Sequence, residues 1–153
     1  MPIFYPGILA TKGGPKMIRK MHPDDLDTIM EIWLVGNLDA HAFIGAQYWR
    51  DQLPAVRTAI QAATVYCYLL PNGTIAGFVG LTGDYLAGLF VARQYRQQGI
   101  GGQLLTFVQR RSQKLALDAY RQNQRAVSFY QRHGFTISQQ DQASVHLIWA
   151  APE

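Results

Sequence analysis

The chain has 153 residues, of which 48% are hydrophobic and 16% charged. That composition buries a core and excludes a disordered polymer. The formal net charge of +4 is uneven: residues 1–88 hold 6 Lys/Arg against 7 Asp/Glu, while residues 89–153 hold 8 against 3. An anionic ligand is steered towards the second half, unless the arginines are simply a solvated surface.

No apolar run approaches the roughly 18 residues a membrane helix needs, which argues against a membrane role. A short apolar patch, Ile3 to Ala10, is broken by Pro6 and Gly7 and has no basic residue before it, so it makes a poor signal peptide. Residues 1–16 read as an extension, either an upstream start or a flexible arm, and residues 17–153 as a single domain. The one cysteine, Cys67, excludes an intrachain disulfide and fits a reducing, cytoplasmic setting.

Ile18 to Met21 reads as a short strand. His22-Pro23-Asp24-Asp25 then starts a helix, with proline in the first turn and acids near the positive end of its dipole. Leu26, Ile29, Met30, Trp33 and Leu34 recur at spacings of three and four, the mark of an amphipathic helix. A second helical stretch covers Ile44 to Ala63, with Pro54 starting or kinking its second part. Thr64 to Leu70 and Thr74 to Leu81 are strands joined by the turn Pro71-Asn72-Gly73. Leu86 to Val91 is a third strand in that run. A helix follows over Gly99 to Gln113, then a strand over Leu115 to Ala119. The helix over Asn123 to His133 is closed by Gly134 at C′. Phe135 to Ser138 and Ser144 to Trp149 end the series as antiparallel partners. A helix joins Leu86–Val91 to Leu115–Ala119, so those two strands are parallel.

Two stretches carry chemistry. Arg96-Gln97-Gln98-Gly99-Ile100-Gly101-Gly102 stands between a strand and a helix, where glycines let the backbone approach a ligand and unpaired helix amides attract a phosphate. The same residues also suit a plain tight turn. A dinucleotide fingerprint would need glycine where Leu104 stands, and a P-loop would need Lys-Ser/Thr after the last glycine. The second stretch runs from Asn123 to Phe135. Asn123 and Tyr130 share a helix face, about 10 Å apart along the axis, with small Ala126 between them. An amphipathic helix with Asn123 as N-cap and Tyr130 as a packed aromatic fits as well.

Together the motifs have a known order. A strand ending Leu89-Phe90-Val91, then Arg-x-x-Gly-x-Gly, then Asn-x-x-Ala-x-x-Phe-Tyr-x-x-x-Gly-Phe resembles the GNAT acetyltransferase superfamily over Met17 to about Trp149. His41-Ala42-Phe43-Ile44, Tyr48-Trp49-Arg50-Asp51 and Leu117-Asp118 resemble its YiaC-type subgroup of small bacterial enzymes.

The resemblance implies an α/β (α+β) fold: a mixed, mostly antiparallel sheet of about seven strands with splayed central parallel strands and about four helices. It implies acetyl-CoA as co-substrate and an amine on a small molecule, a peptide N-terminus or a lysine as acceptor. Backbone groups of Leu89, Phe90 and Val91 would hold the pantetheine arm, with Asn123 on its other side. Amides of Gln97, Gln98, Gly99, Ile100, Gly101 and Gly102 would hold the pyrophosphate. Tyr130 matches the general acid that protonates the leaving sulfur, and a strand-end N–H such as that of Val91 polarises the carbonyl. Asp118 stands where some relatives place a proton acceptor, but it also suits a solvated or arginine-paired strand-end acid. His41, Tyr85, His146 and water are the alternative bases. Asp39, His41, Phe43, Tyr48 and Trp49 are candidates to line the acceptor side. The four histidines show no metal-ligand spacing, so no metal is expected. No nucleic-acid motif accompanies the arginines, and a homodimer stays open. The competing function is an acyl-CoA-binding sensor or interaction domain without turnover.

Overall fold

The computed structural model describes residues 17–153, and the extension expected over residues 1–16 lies outside the described residues. The elements follow as β1 (Ile18–Lys20), α1 (Leu26–Ala40), α2 (Ala46–Asp51), α3 (Leu53–Ala62), β2 (Thr64–Leu69), β3 (Ile75–Thr82), β4 (Tyr85–Val91), α4 (Ile100–Gln109), β5 (Lys114–Tyr120), α5 (Gln124–Arg132), β6 (Thr136–Gln140) and β7 (Ser144–Ala150). Short 3₁₀ turns precede α1, α2 and α4.

The seven strands form one sheet in the order β1-β2-β3-β4-β5-β7-β6. Every neighbouring pair is antiparallel except β4–β5, which is parallel. The mixed sheet and the parallel central pair agree with expectation. The helix count differs, with five α-helices rather than about four. The stretch expected as one helix from Ile44 to Ala63 divides at Gln52, because Pro54 lacks an N–H and is placed in the first turn of α3. Helix α4 also ends short of Gln113, at Gln109, where the Ser112 hydroxyl donates to the Val108 carbonyl at 2.7 Å.

Alternation along the strands separates two apolar layers. Val65 and Cys67 of β2 face Leu26, Ile29 and Met30 of α1 and Ile60 of α3. Their neighbour Tyr68 faces the other way, towards Leu104, Leu105 and Val108 of α4, with Val79, Leu115, Leu117 and Leu147 of the sheet. Each fully buried aliphatic side chain contributes roughly 1.5–3 kcal/mol. Cys67 is fully buried in the α1 layer, and burial pushes its thiol up to about 12, with the Asp25 charge adding to the rise. It is a core residue. Among the described residues no helix is long and apolar enough to cross a membrane.

Helix α5 ends against the sheet through Gly134, whose φ of 91° lies in the left-handed region. A Cβ there would stand 3.3 Å from Trp149 Cδ1. Gly134→Ala is therefore expected to destabilise the fold by about 1–2 kcal/mol, read as a lower urea midpoint with an unchanged m-value.

Candidate active site

The site begins where the sheet fails to close. β4 and β5 pair at a single position, Tyr85 opposite Ala116, anchored by the Ala116 N–H donating to the Asp84 carbonyl at 3.0 Å. Beyond it the two strands part. On its other edge β4 stays zipped to β3 as far as Val91, and the Ala92 N–H donates to the Ala76 carbonyl at 2.8 Å. An antiparallel ladder exchanges bonds at every second residue. Counting back from Ala92, Phe90 bonds β3, while the N–H and C=O groups of Leu89 and Val91 face the gap. Of the three expected residues, Leu89 and Val91 thus turn their backbone groups to the gap. Phe90 points its ring to the α1 layer instead, against Gly36 and Phe78. Arg96 Nε donates to the Val91 carbonyl at 3.1 Å, leaving the Val91 N–H and both groups of Leu89 directed into the gap.

The loop after β4 carries the backbone into α4 through two left-handed residues, Gln97 (φ 65°) and Gly99 (φ 81°). Gly99 is the N-cap of α4, has no side chain to cap it, and no acid lies in the first turn. The first amides of α4 are thus open to an anion. Gln97, Gly99, Ile100, Gly101 and Gly102 line a cavity of about 670 Å³ together with Arg125, Arg132 and Asn123. Gln98 is exposed and does not line it. This amide-lined mouth with two arginines suits a pyrophosphate, and the strand-edge groups beyond it suit an amide-bearing arm.

A second cavity of about 540 Å³ adjoins the first. Leu89, Val91, Arg96, Asn123, Ala126 and Tyr130 line both, so the two form one passage through the gap. Tyr130 is buried, and its hydroxyl makes no hydrogen bond among the described residues. Burial holds its phenol far above the ordinary value, so it keeps its proton at neutral pH. Asn123 is the N-cap of α5, its Oδ1 accepting the Ala126 N–H at 3.2 Å. The capping role and the cavity position read as alternatives in the sequence coexist in one side chain.

The far end of the second cavity is built from α1 and β5. His41, Trp49 and Tyr120 pack there with tilted and edge-on rings, with Phe43 and Tyr48 outside them. Asp118 lines the same cavity and is the one carboxylate to do so among the described residues. It is bound by Tyr85 Oη at 2.7 Å and by His146 Nδ1, its cross-strand neighbour, at 2.8 Å. Partial burial opposes its charge, but the hydrogen bonds from Tyr85 and His146 outweigh it and hold the carboxyl below its usual range. Burial and the bond to Asp118 push the Tyr85 phenol up to about 12. Asp118 thus pairs with Tyr85 and His146, two of its rival bases, rather than with an arginine. Asp39 lies at the rim and binds Arg93 at 2.7 Å and Arg96 at 3.0 Å.

Residues 62–137 match the profile of the acetyltransferase (GNAT) domain. The peptidyl-lysine N-acetyltransferase YiaC of Escherichia coli is 41% identical over 122 residues, covering 79% of this chain and 84% of that protein. The chain belongs to the GNAT acetyltransferase family. It is an acetyltransferase and takes acetyl-CoA as the donor for an amine. Two solved folds agree. The apo form of Escherichia coli YjaB superimposes with a TM-score of 0.78 at 22% identity, covering 88% of this chain and 97% of that one. The PaiA N-acetyltransferase of Thermoplasma acidophilum in complex with coenzyme A gives 0.76 at 20% identity, covering 87% and 97%.

Sequence reading missed three residues of this GNAT site. Asn37 is buried within the apolar face of α1, four residues before His41, a spacing that puts both on one face. Tyr120 follows Asp118 by two, the strand period that puts both on one side of β5. Arg96 stands in the sequence only as the first residue of the glycine stretch, yet it ties Val91 to Asp39.

Acetyl-CoA is a ligand of the folded protein and not of the unfolded chain, so at a hundred times its dissociation constant it is expected to stabilise the protein by about 2.7 kcal/mol. A Cβ at Gly101 meets nothing closer than Leu89 Cδ2 at 3.5 Å, so Gly101→Ala should fold normally. Gly101→Glu adds bulk and negative charge at the amide-lined mouth that suits a pyrophosphate and is expected to abolish the ligand-induced rise in Tm.

Proposed function

We propose that this protein acetylates lysine side chains of peptides or proteins, with residues 17–153 acting as one acetyltransferase domain in a cytoplasmic setting. The observation that carries the reading is the single passage from the open amides of α4, past the Leu89 and Val91 strand edge and Tyr130, to a cavity holding one carboxylate. The peptidyl-lysine activity of YiaC supplies the acceptor class, and the buried, reduced Cys67 supports the compartment.

When bound, acetyl-CoA supplies an activated acetyl thioester. The chain's own groups then divide the work. Amides from Gln97 to Gly102 hold the pyrophosphate, assisted by Arg125 and Arg132 at the mouth. The Leu89 and Val91 edge holds the arm on one side, and the Asn123 carboxamide on the other. The Val91 N–H, left free when Arg96 takes the carbonyl, is placed to polarise the acetyl oxygen. Tyr130 delivers its hydroxyl proton to the leaving sulfur. On the acceptor side, Asp118 attracts the lysine ammonium and takes up its proton, with His146 behind it as the path to water. Tyr85 and His146 fix the carboxylate so that it faces the cavity.

Tyr130→Phe keeps the ring and its packing but removes the proton donor. Acetyl-CoA affinity is expected to hold while kcat falls by roughly 10²-fold or more, measured as single-turnover thiol release with a lysine peptide. Undiminished turnover would make water the acid. Asp118→Asn keeps the shape but loses the charge. Its kcat/KM for the lysine peptide is expected to drop about tenfold or more, with acetyl-CoA binding by calorimetry unchanged.

A further inference from the structure

A polar relay crosses the gap between the two halves of the site. Asn37 Nδ2 donates to the Trp33 carbonyl at 3.0 Å, and Asn37 Oδ1 meets His41 Nδ1 at 2.7 Å. His41 Nε2 meets Asn123 Nδ2 at 3.0 Å, and Asn123 Oδ1 accepts the Ala126 N–H at 3.2 Å. Each end of the relay is a backbone group of fixed polarity: a carbonyl that only accepts and an N–H that only donates. Those ends orient both asparagines, and the asparagines orient the ring. Nδ1 must carry the proton and Nε2 must present a lone pair. Only a neutral His41 completes the relay, since an imidazolium would turn an N–H against the Asn123 amide.

We infer that His41 is a positioning residue for the cofactor: its Nε2 lone pair orients the Asn123 carboxamide so that the second amide N–H points into the passage. The inference rests on the proposed reading of Asn123 as a ligand of the arm. Asn123 cannot rotate freely to compensate, because a flip removes its cap on α5. Burial also lowers the ring's pKa, which favours the neutral form that the relay needs. His41 is enclosed by groups that hold their charge near neutrality. Tyr120 and Tyr130 are raised by burial and stay neutral, while hydrogen bonds hold the Asp118 carboxyl below its usual range, and Arg96 is paired with Asp39. Protonation of His41 is thus the event in this cluster that turns acid pH into loss of the Asn123 contact.

The test is calorimetric titration of the full chain with acetyl-CoA between about pH 8 and about pH 5.5, spanning the histidine range. The wild-type dissociation constant should be level at high pH and rise by up to about tenfold per unit below the His41 pKa. The cofactor's phosphate monoester also titrates near pH 6, so the decisive comparison is with His41→Gln. That variant puts a non-titrating carbonyl acceptor near Nε2; it should bind as wild type at about pH 8 and lose the extra loss at low pH. His41→Phe keeps a ring among Trp49 and Tyr120 but removes the acceptor, and should weaken binding about three- to tenfold at every pH. If Asn123→Ala binds as tightly as wild type, the arm-ligand reading of Asn123 fails. If Asn123→Ala is weakened while His41→Phe is not, the role of His41 alone is overturned. Nitrogen NMR of wild-type His41 gives a readout that needs neither variant to fold. The Nδ1–H tautomer above its pKa supports the relay, and the Nε2–H tautomer overturns it.

Discussion

The whole site depends on one interrupted pairing. β4 is bound to β3 along its length, yet it meets β5 only at Tyr85 and Ala116. Buried backbone groups left without partners cost roughly 1–3 kcal/mol each, so such a gap survives only where something else meets those groups. Here Arg96 meets the Val91 carbonyl, and Asp39 on α1 holds Arg96 in place. The Leu89 groups and the Val91 N–H remain for water or a ligand. The helices on either side enforce the opening. α4 and α5 both start at it, so the open amides of one and the capping asparagine of the other converge on the same space.

This arrangement explains how a basic half-chain serves an anionic cofactor without crowding it. Arg93 and Arg96 share the one carboxylate of Asp39, which offsets one of their two charges and which the Arg93 contact holds below its usual range. Their role is to brace the strand end. Arg125 and Arg132 line the cavity at the open amides of α4, where their charge suits phosphates. On the acceptor side the balance reverses, with Asp118 the carboxylate of that cavity. One passage thus has a cationic entrance, which suits a phosphorylated donor, and an anionic end, which suits an ammonium.

Much of this was legible in the residues because it is local. The amphipathic spacing from Leu26, the Pro71-Asn72-Gly73 turn, the glycine loop and Gly134 each state their own geometry, and the strands fell within a residue or two of their positions. Asn123 and Tyr130 were legible as a pair on one helix face. What escaped depends on distant partners. Residue type could not tell which of Leu89, Phe90 and Val91 faces the gap, because that parity is fixed by Ala92 pairing with Ala76. Nor could it show Asp118 meeting Tyr85 and His146, 33 and 28 residues away. Asn37 escaped because a polar residue on an apolar helix face reads as a defect until its partner is seen.

Asn37 bears most directly on how the two halves work together. A buried asparagine is costly when its amide is unmet, and a mixed network half satisfied is worse than an apolar one. Leucine would pack in the same place without that liability. In this fold both ends of the Asn37 amide are engaged, and through His41 the engagement reaches Asn123, 82 residues from the ring it meets. α1 and α5 pack on opposite layers of the sheet and approach one another only across the gap. The rings of Trp49 and Tyr120 pack against His41 at that crossing. The position of α1 is therefore coupled to the orientation of the Asn123 carboxamide through groups that the backbone has already fixed.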